Sequence, residues 1–332
     1  MERATENKII LIVRPTRLAE LVTRFNTVSQ AKFYVEHLGA DFSDYLREDE
    51  IYHHAIRETQ QTLASIGRLQ MVDRTFLPNF IFGTSDTVIV LGQDGLVANT
   101  VKYLSGQPVI GVNPEPARWD GKLLPFQVRD LKKVVPEVFH NRRPLKLVTM
   151  AKASLNNGQI MYAVNDLFVG VKGHGSARYS IQMAQQHEQQ SSSGVVVSTG
   201  LGSTGWLKSL MTGAAAITES VVGPTLAQAE FSLPKGKNIK KENKKVRLRA
   251  ESSFAWDANY LCFTVREPFP SNTTAASLVF GKVTEDAPLR MTSMMPENGV
   301  IFSDGIEKDF LEFNSGMQAT VSIAEKKGHL VI

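Results

Sequence analysis

The sequence predicts two domains of different class, an α/β domain built on a parallel sheet followed by an antiparallel, all-β-like domain. Three observations predict it. At 332 residues the chain exceeds one average core and falls short of three ample ones. Its first 125 or so residues alternate short β-branched apolar runs with stretches of helical periodicity, the pattern of crossovers between parallel strands. After residue 140 the texture changes to closely spaced strand-like runs separated by turns rich in Gly, Asn and Ser, the pattern of antiparallel pairing. The boundary is placed at residue 126, giving domains 1–126 and 127–332, with a C-terminal segment able to return to the first domain.

Residues 8–13 (KIILIV) are apolar and β-branched and break at Arg14-Pro15-Thr16, as a buried strand ending in a loop does. From residue 17 to about 38, Leu18, Leu21, Val22, Phe25, Ala31, Phe33, Tyr34 and Leu38 recur at helical spacing, which predicts one helix. Residues 44–66 predict a second helix, charged and Gln-rich on one side. Residues 86–91 (DTVIVL) form another buried-strand pattern that runs straight into Gly92-Gln93-Asp94-Gly95 and a helix-compatible segment to Leu104; residues 108–112 (PVIGV) are a third strand. Ligands of parallel sheets bind at the carboxyl ends of the strands, and Arg14, Asp94 and Asn113 each fall at such an end.

After a helix over 128–140, strand-like runs cover 145–151, 160–171, 177–183 and 194–199. One helix, over 205–217, interrupts them, and they resume at 261–265, 276–283, 300–302 and 318–324. No internal repeat is visible.

Hydrophobic residues make up 42% of the chain and charged residues 21%, mixed along most of its length, which argues for a buried core rather than long disorder. The net charge of +4 does not demand a nucleic-acid partner. Much of it lies in residues 235–249 (KGKNIKKENKKVRLR), which reads as a solvated loop or strand edge, with an anion-binding patch as the alternative. The lone Cys262 excludes an intrachain disulfide and a cysteine-based zinc site, and the seven histidines show no metal-ligand spacing, so no protein metal site is expected. The first seven residues are polar, and no apolar run approaches the roughly 18 residues of a membrane span. Cytoplasm is the expected compartment.

Three segments could carry chemistry. In Gly92-Gln93-Asp94-Gly95, a strand meets a helix through a glycine-containing turn, which lets backbone come close to an anion and points free N–H groups toward it. The charge of Asp94 repels phosphate, so the residue either caps the helix or works on a proton or a metal. Gly200-Leu201-Gly202-Ser203-Thr204-Gly205 matches G-x-G-x-x-G between a strand and a helix, with Ser203 and Thr204 as extra donors for a phosphate or a ribose. The ribose-holding acid of a dehydrogenase unit is not evident on a second strand, so a dehydrogenase is only a minor alternative. Asn165-Asp166 sits in the strand-like run 162–171, where one of two adjacent polar side chains must face the core and find a partner, either a ribose or local backbone. Trp206 either stacks on a base or fills the core. No P-loop lysine motif and no nucleophile elbow is present.

In this order the pieces resemble the NAD kinase superfamily, which shares its kinase domain plan with diacylglycerol and sphingosine kinases. The family's Gly-Gly-Asp-Gly turn lines up on Gly92 to Gly95, followed by the strand PVIGVN; its Asn-Glu motif lines up on Asn165-Asp166 within AVNDLFVG. Its Thr-Gly-Ser-Thr-Ala-Tyr segment lines up on Leu201 to Trp206. FSDG (302–305) and LEFNSG (311–316) look like its closing hairpin. The loop NPEPARWDGKLL (113–124) makes the chain most similar to mitochondrial-type NAD kinases and their bacterial relatives, here without a transit peptide.

The resemblance implies a Rossmann-like first domain, an antiparallel second one and an active site in the cleft between them. It implies transfer of a phosphoryl group from ATP to the 2′-hydroxyl of NAD or a related nucleotide, with magnesium on the phosphates and Asp94 as general base. Arg14, Gly92, Gln93, Gly95 and Asn113 then face the phosphates. Asn165, Asp166, Ser203, Thr204, Gly205, Trp206 and Ser209 lie at the bound NAD. The family commonly forms homodimers or homotetramers.

Four positions depart from the pattern. Gln93 replaces the second glycine and Leu96 the usual threonine, which sets side chains where the triphosphate approaches; Asp166 is one methylene shorter than glutamate; Ser193 stands in place of an aspartate. These departures motivate two alternatives on the same fold, a non-catalytic dinucleotide-binding protein and a kinase for another small acceptor such as a sugar.

Overall fold

In the computed structural model, which describes residues 4–222 and 253–332, the chain divides into two units, Met1–Leu147 with Lys326–Ile332, and Val148–Glu325. The basic stretch at 235–249 lies outside the described residues. The first unit is α/β with a parallel sheet; the second is built on antiparallel strands.

The first unit begins with β1 (Lys8–Val13), followed by α1 (Arg17–Phe25), α2 (Val28–His37), α3 (Ser43–Ile66), β2 (Arg68–Asp73), β3 (Thr87–Leu91), α4 (Asp94–Val101), β4 (Pro108–Val112) and α5 (Leu131–Phe139). The strands run parallel in the order β2-β1-β3-β4. Ile9, Ile10, Leu11 and Ile12 are fully buried, which is why the central strand reads as a continuous apolar run rather than an alternation. Beneath them, α3 contributes Tyr52, Ala55, Leu63 and Ile66 and α5 contributes Leu131, Val134, Val135 and Val138 to one apolar cluster. That shared cluster carries the first unit through α5 to Leu147, 21 residues past the boundary at 126 read from the sequence.

The helix expected over 17–38 is two helices. Asn26 takes the left-handed conformation (φ 67°), which asparagine tolerates, and the Thr27 hydroxyl then accepts from Gln30 N–H (3.1 Å) to start α2. The sequence reading also passed over β2, an edge strand that buries only Val72 and so carries no apolar run.

The second unit holds β5 (Leu145–Leu155), β6 (Ile160–Ala163), β7 (Asp166–Val171), β8 (Ala177–Met183), β9 (Gln186–Ser192), β10 (Val195–Ser198), α6 (Trp206–Val222), β11 (Leu261–Val265), β12 (Phe280–Val283), β13 (Leu289–Ser293), β14 (Gly299–Ser303), β15 (Phe310–Glu312) and β16 (Gln318–Val331). One sheet of six antiparallel strands has the order β12-β11-β10-β7-β14-β15. Facing it in the same core are β5, β6, β8, β13 and the first part of β16, so Leu167, Val169, Val197 and Phe263 pack with Tyr179, Ile181, Met291 and Val321. The opposite face of the six-stranded sheet carries Phe168, Val196 and Val300, against which Trp206 and Leu210 of α6 pack. The end of β16 belongs to the first unit, where His329 and Leu330 pair in parallel with Pro108 and Val109 of β4.

The run expected as one strand over 160–171 is broken into β6 and β7 at Val164-Asn165. Two further strands were not anticipated, β9 (QHEQQSS) because it is polar and β13 (LRMTS) because its alternation spans only five residues. Among the described residues no helix is long and apolar enough to cross a membrane.

Gly111 of β4 marks the closest backbone approach in the first unit, since a Cβ there would lie 1.9 Å from the Leu123 carbonyl oxygen. Gly111→Ala must push the 113–124 loop outward, and it is expected to lower stability by about 2 kcal/mol, read as a lower urea midpoint at unchanged slope.

Candidate functional site

In the first unit the glycine turn begins where β3 ends. Tyr52 ties the two central strand ends together, its hydroxyl donating to Leu91 O (2.7 Å) and accepting from Arg14 N–H (3.1 Å). Burial pushes the Tyr52 hydroxyl up to about 12, so it stays protonated as that donor. Gly92 N–H donates to Val112 O (3.2 Å), and Gln93 occupies the N-cap of α4 in an extended conformation without a side-chain cap bond. Asp94, the first residue of α4, does not cap its own helix. Its Oδ1 accepts from Leu123 N–H (2.9 Å) and its Oδ2 from Lys122 N–H (3.2 Å), across 28 residues of chain. Each oxygen has two lone pairs, so the half-buried carboxylate keeps acceptor capacity while its position is fixed.

Leu96 turns inward rather than standing over the turn. It is 5% exposed, and its Cδ2 would be 2.9 Å from a Cβ added at Gly92. That contact explains why the first position of the turn is glycine. Gln93 is half-buried and Gly95 is exposed with open space around it.

Arg14 and Asn113, expected to face phosphates, are engaged within the unit. The Arg14 guanidinium pairs with Glu48 (2.9 Å), a residue 2% exposed, and donates to Pro15 O (2.9 Å); its buried Nε has no partner. Burial works against ionisation of Glu48, but hydrogen bonds from Arg14 and Arg17 outweigh it and hold the carboxyl below the usual range. Asn113 donates to Trp119 O (2.9 Å) and accepts from Glu115 N–H (3.0 Å), so its amide shapes the 113–124 loop. Arg118 anchors the same loop through Asp44 of α3 and through Glu115 (3.0 Å). A cleft of about 480 Å³ opens beside Asn113, lined by both signs of charge, with Glu50 and Glu58 against Arg57 and Arg129.

In the second unit three segments meet. Asn165 O accepts from Thr199 N–H (2.9 Å), and Thr199 Oγ1 donates to Val164 O (2.5 Å). The third is the turn after β14, whose Asp304 accepts from Val164 N–H and Asn165 N–H and donates its own N–H to Asp166 O (2.9 Å). Asp166 opens β7 opposite Ser198 of β10. Its Oδ1 is enclosed and has no hydrogen-bond partner among the described residues. Burial pushes the Asp166 carboxyl up to about 7 and the charge of Asp304 adds to this, while a hydrogen bond from Ser198 pulls it down. An orphaned buried oxygen is costly unless something donates to it, so this carboxyl is prepared for a donor that the described residues do not supply.

The G-x-G-x-x-G turn follows a strand of the antiparallel sheet, so it is not part of a parallel crossover unit. Its first two glycines serve internal packing: a Cβ at Gly200 would lie 1.9 Å from Ala255 O, and one at Gly202 would lie 2.2 Å from Asn165 O. Ser203 is fully buried, donating to Gly200 O (2.7 Å) and accepting from Phe254 N–H (3.2 Å). Thr204, Gly205 and Ser209 are exposed. The Trp206 ring stacks on Phe168 (centroids 5.7 Å apart) with the Arg266 guanidinium 5.5 Å from its centre.

The architecture has solved counterparts. Yeast NADH kinase, in complex with NADH, superposes with a TM-score of 0.55 at 15% identity, covering 98% of this chain and 84% of that one. The NAD kinase of Archaeoglobus fulgidus, in complex with ATP, superposes with a TM-score of 0.52 at 13% identity, covering 98% and 93%. The chain has the NAD kinase fold. No family model and no curated protein matches it in sequence.

On this NAD kinase fold, two acids that tie segments together, the buried Glu48 and the half-buried Asp304, are not marked by the sequence pattern. Glu48 lies one helical turn before Tyr52 on the buried stripe of α3, and an acid on such a stripe signals an internal cation. Asp304 lies in a strand-closing Asp-Gly pair, which the sequence marked as a hairpin and not as an anchor.

Asp166 has a consequence measurable without any ligand. Its native carboxyl titrates near 7, above the ordinary 3.8, so between those values the native state holds a proton that the unfolded state has released. This contribution makes stability fall as pH rises from about 4 to about 7 and then level off. Asp166→Asn removes it, and the variant is expected to gain stability relative to the parent at pH 8 more than at pH 5 in urea titrations; an equal difference at both would contradict the shift.

Proposed function

We propose that this protein is a phosphotransferase that moves the γ-phosphoryl group of ATP to the 2′-hydroxyl of NAD or a closely related dinucleotide. The observation that carries this reading is the Asp94 carboxylate. It stands at the start of α4 beside a glycine turn, held by two backbone N–H groups of another loop instead of by its own helix. With one backbone N–H on each oxygen, the carboxylate still has lone pairs that can accept a further proton. The solved counterparts add the ligand classes, since one holds NADH and the other ATP.

In this reaction the ribose oxygen forms a bond to the γ-phosphorus, the bond to the ADP oxygen breaks, and the hydroxyl proton goes to Asp94. Phosphoryl transfer needs alignment and charge stabilisation more than covalent help, so one base and well-placed donors suffice. Magnesium is carried by the phosphates of ATP. Asp166, with its unpartnered oxygen, accepts from a hydroxyl of the bound nucleoside, and Asn165 lies beside it.

A second reading, a dinucleotide-binding protein without turnover, is favoured by Gln93, whose side chain occupies the turn where a glycine would leave the backbone open to phosphates.

Incubation with ATP, magnesium and NAD, followed by detection of NADP, separates the two. NADP formation supports the kinase, and tight NAD binding without product supports the second reading. Asp94→Asn is expected to lower kcat by about 10²–10⁴ while the Michaelis constant for NAD changes only a fewfold, and unchanged turnover would remove Asp94 from the base role. Gln93→Gly is expected to lower the Michaelis constant for ATP if the side chain crowds the phosphates.

A further inference from the structure

Between the end of β6 at Ala163 and the start of β7 at Asp166 the strand ladder is interrupted. The N–H groups of Val164 and Asn165 fall in that gap, and Val164 is 1% exposed, so its N–H cannot turn to solvent. Asp304 pairs them. Its Oδ1 accepts from Asn165 N–H (2.6 Å) and Val164 N–H (3.1 Å), and its Oδ2 lies 3.2 Å from the same Val164 nitrogen. Its own N–H returns a bond to Asp166 O (2.9 Å), closing a clamp around the segment. To reach it, the residue takes the left-handed conformation (φ 55°) and Gly305 follows at φ 73°, a pair that few residue types tolerate.

We propose that Asp304 is a positioning residue for the dinucleotide site: its carboxylate fixes the backbone from which Asn165 and Asp166 project, and sets a permanent negative charge beside the Asp166 carboxyl. The proposal rests on the nucleotide reading of Asn165-Asp166 given above. The clamp extends further, because the Val164 and Asn165 carbonyls it orients are the ones that receive the Thr199 hydroxyl and N–H, and Gly202 packs on Asn165 O. Asp304 thereby ties together the three segments of the site.

Anchoring alone would not need a charge. An asparagine offers one acceptor oxygen and tolerates the same backbone, without opposing ionisation of Asp166. The groups that act on Asp166 are Ser198 from β10 and Asp304 from the turn; Cys262 of β11 and Lys282 of β12 continue the register beyond Ser198, two and three strands from Asp166. Of these, Asp304 is the one whose charge raises the Asp166 carboxyl. The consequence is functional. A ribose hydroxyl donates best to an ionised carboxylate, so affinity for the dinucleotide strengthens as pH rises through about 7, a point that burial of Asp166 sets first and the charge of Asp304 raises further.

The test uses the full chain with carbon-labelled aspartate, the Asp166 carboxyl signal identified by its loss in Asp166→Asn. Its midpoint is followed by NMR, and NAD affinity is measured by calorimetry between pH 5.5 and 8.5. In Asp304→Asn the Asp166 midpoint is expected to fall, and the pH at which NAD binding strengthens falls with it. Asp304→Ala, without either acceptor, is expected to bind NAD at least about tenfold more weakly, with Asn recovering most of the loss. An unmoved Asp166 midpoint in Asp304→Asn overturns the proposal, as does parental NAD affinity in a folded Asp304→Ala. If the parent protein binds no NAD, the nucleotide reading falls, while the carboxyl titration still decides the role of Asp304: a moved midpoint supports it and an unmoved one ends it.

Discussion

Where backbone leaves its ladders, its N–H groups need another acceptor, and at two such places among the described residues a single carboxylate supplies it. Asp94 receives Lys122 and Leu123 of the 113–124 loop; Asp304 receives Val164 and Asn165. Charge-assisted bonds of this kind are about twice as strong as neutral ones, which suits segments that carry function but lack the support of a strand or helix. The arrangement also leaves negative charge in places where it can accept protons. Structure and chemistry therefore draw on the same groups.

The glycines tell a related story. Gly111, Gly200 and Gly202 all sit where a Cβ would strike a carbonyl oxygen of another segment, at 1.9, 1.9 and 2.2 Å. They permit protein backbone to approach protein backbone. The G-x-G-x-x-G spacing is thus a packing device in an antiparallel sheet, whereas the Gly92–Gly95 turn joins a parallel strand to a helix and exposes Gly95.

Much of this was legible in the sequence. The class of both units followed from strand and helix periodicity, and the strands at 8–13, 108–112, 177–183 and 261–265 fall where the apolar pattern put them. What escaped has physical causes. The break between α1 and α2 depends on one left-handed asparagine inside an unbroken apolar period. The strand β9 is polar throughout because the side chains it buries, Gln190 and Ser192, are held by hydrogen bonds with Tyr179 rather than by apolar packing. Among site residues, Asp94 and Asp166 could be singled out because a charged group was misplaced in its local context. Arg14 and Asn113 lay at the right strand ends, but spacing cannot show that Glu48 and Trp119 already occupy them. Asp304 was hidden for the same reason, since its partners lie 139 and 140 residues away in sequence.

The central claim is that Asp94 is the group that takes the ribose proton. A crystal structure of the protein with NAD bound tests it most directly. A 2′-hydroxyl within hydrogen-bond distance of an Asp94 oxygen, with the loop bonds from Lys122 and Leu123 retained, is the predicted result. Density for the dinucleotide with its adenosine ribose away from Asp94 would contradict the account.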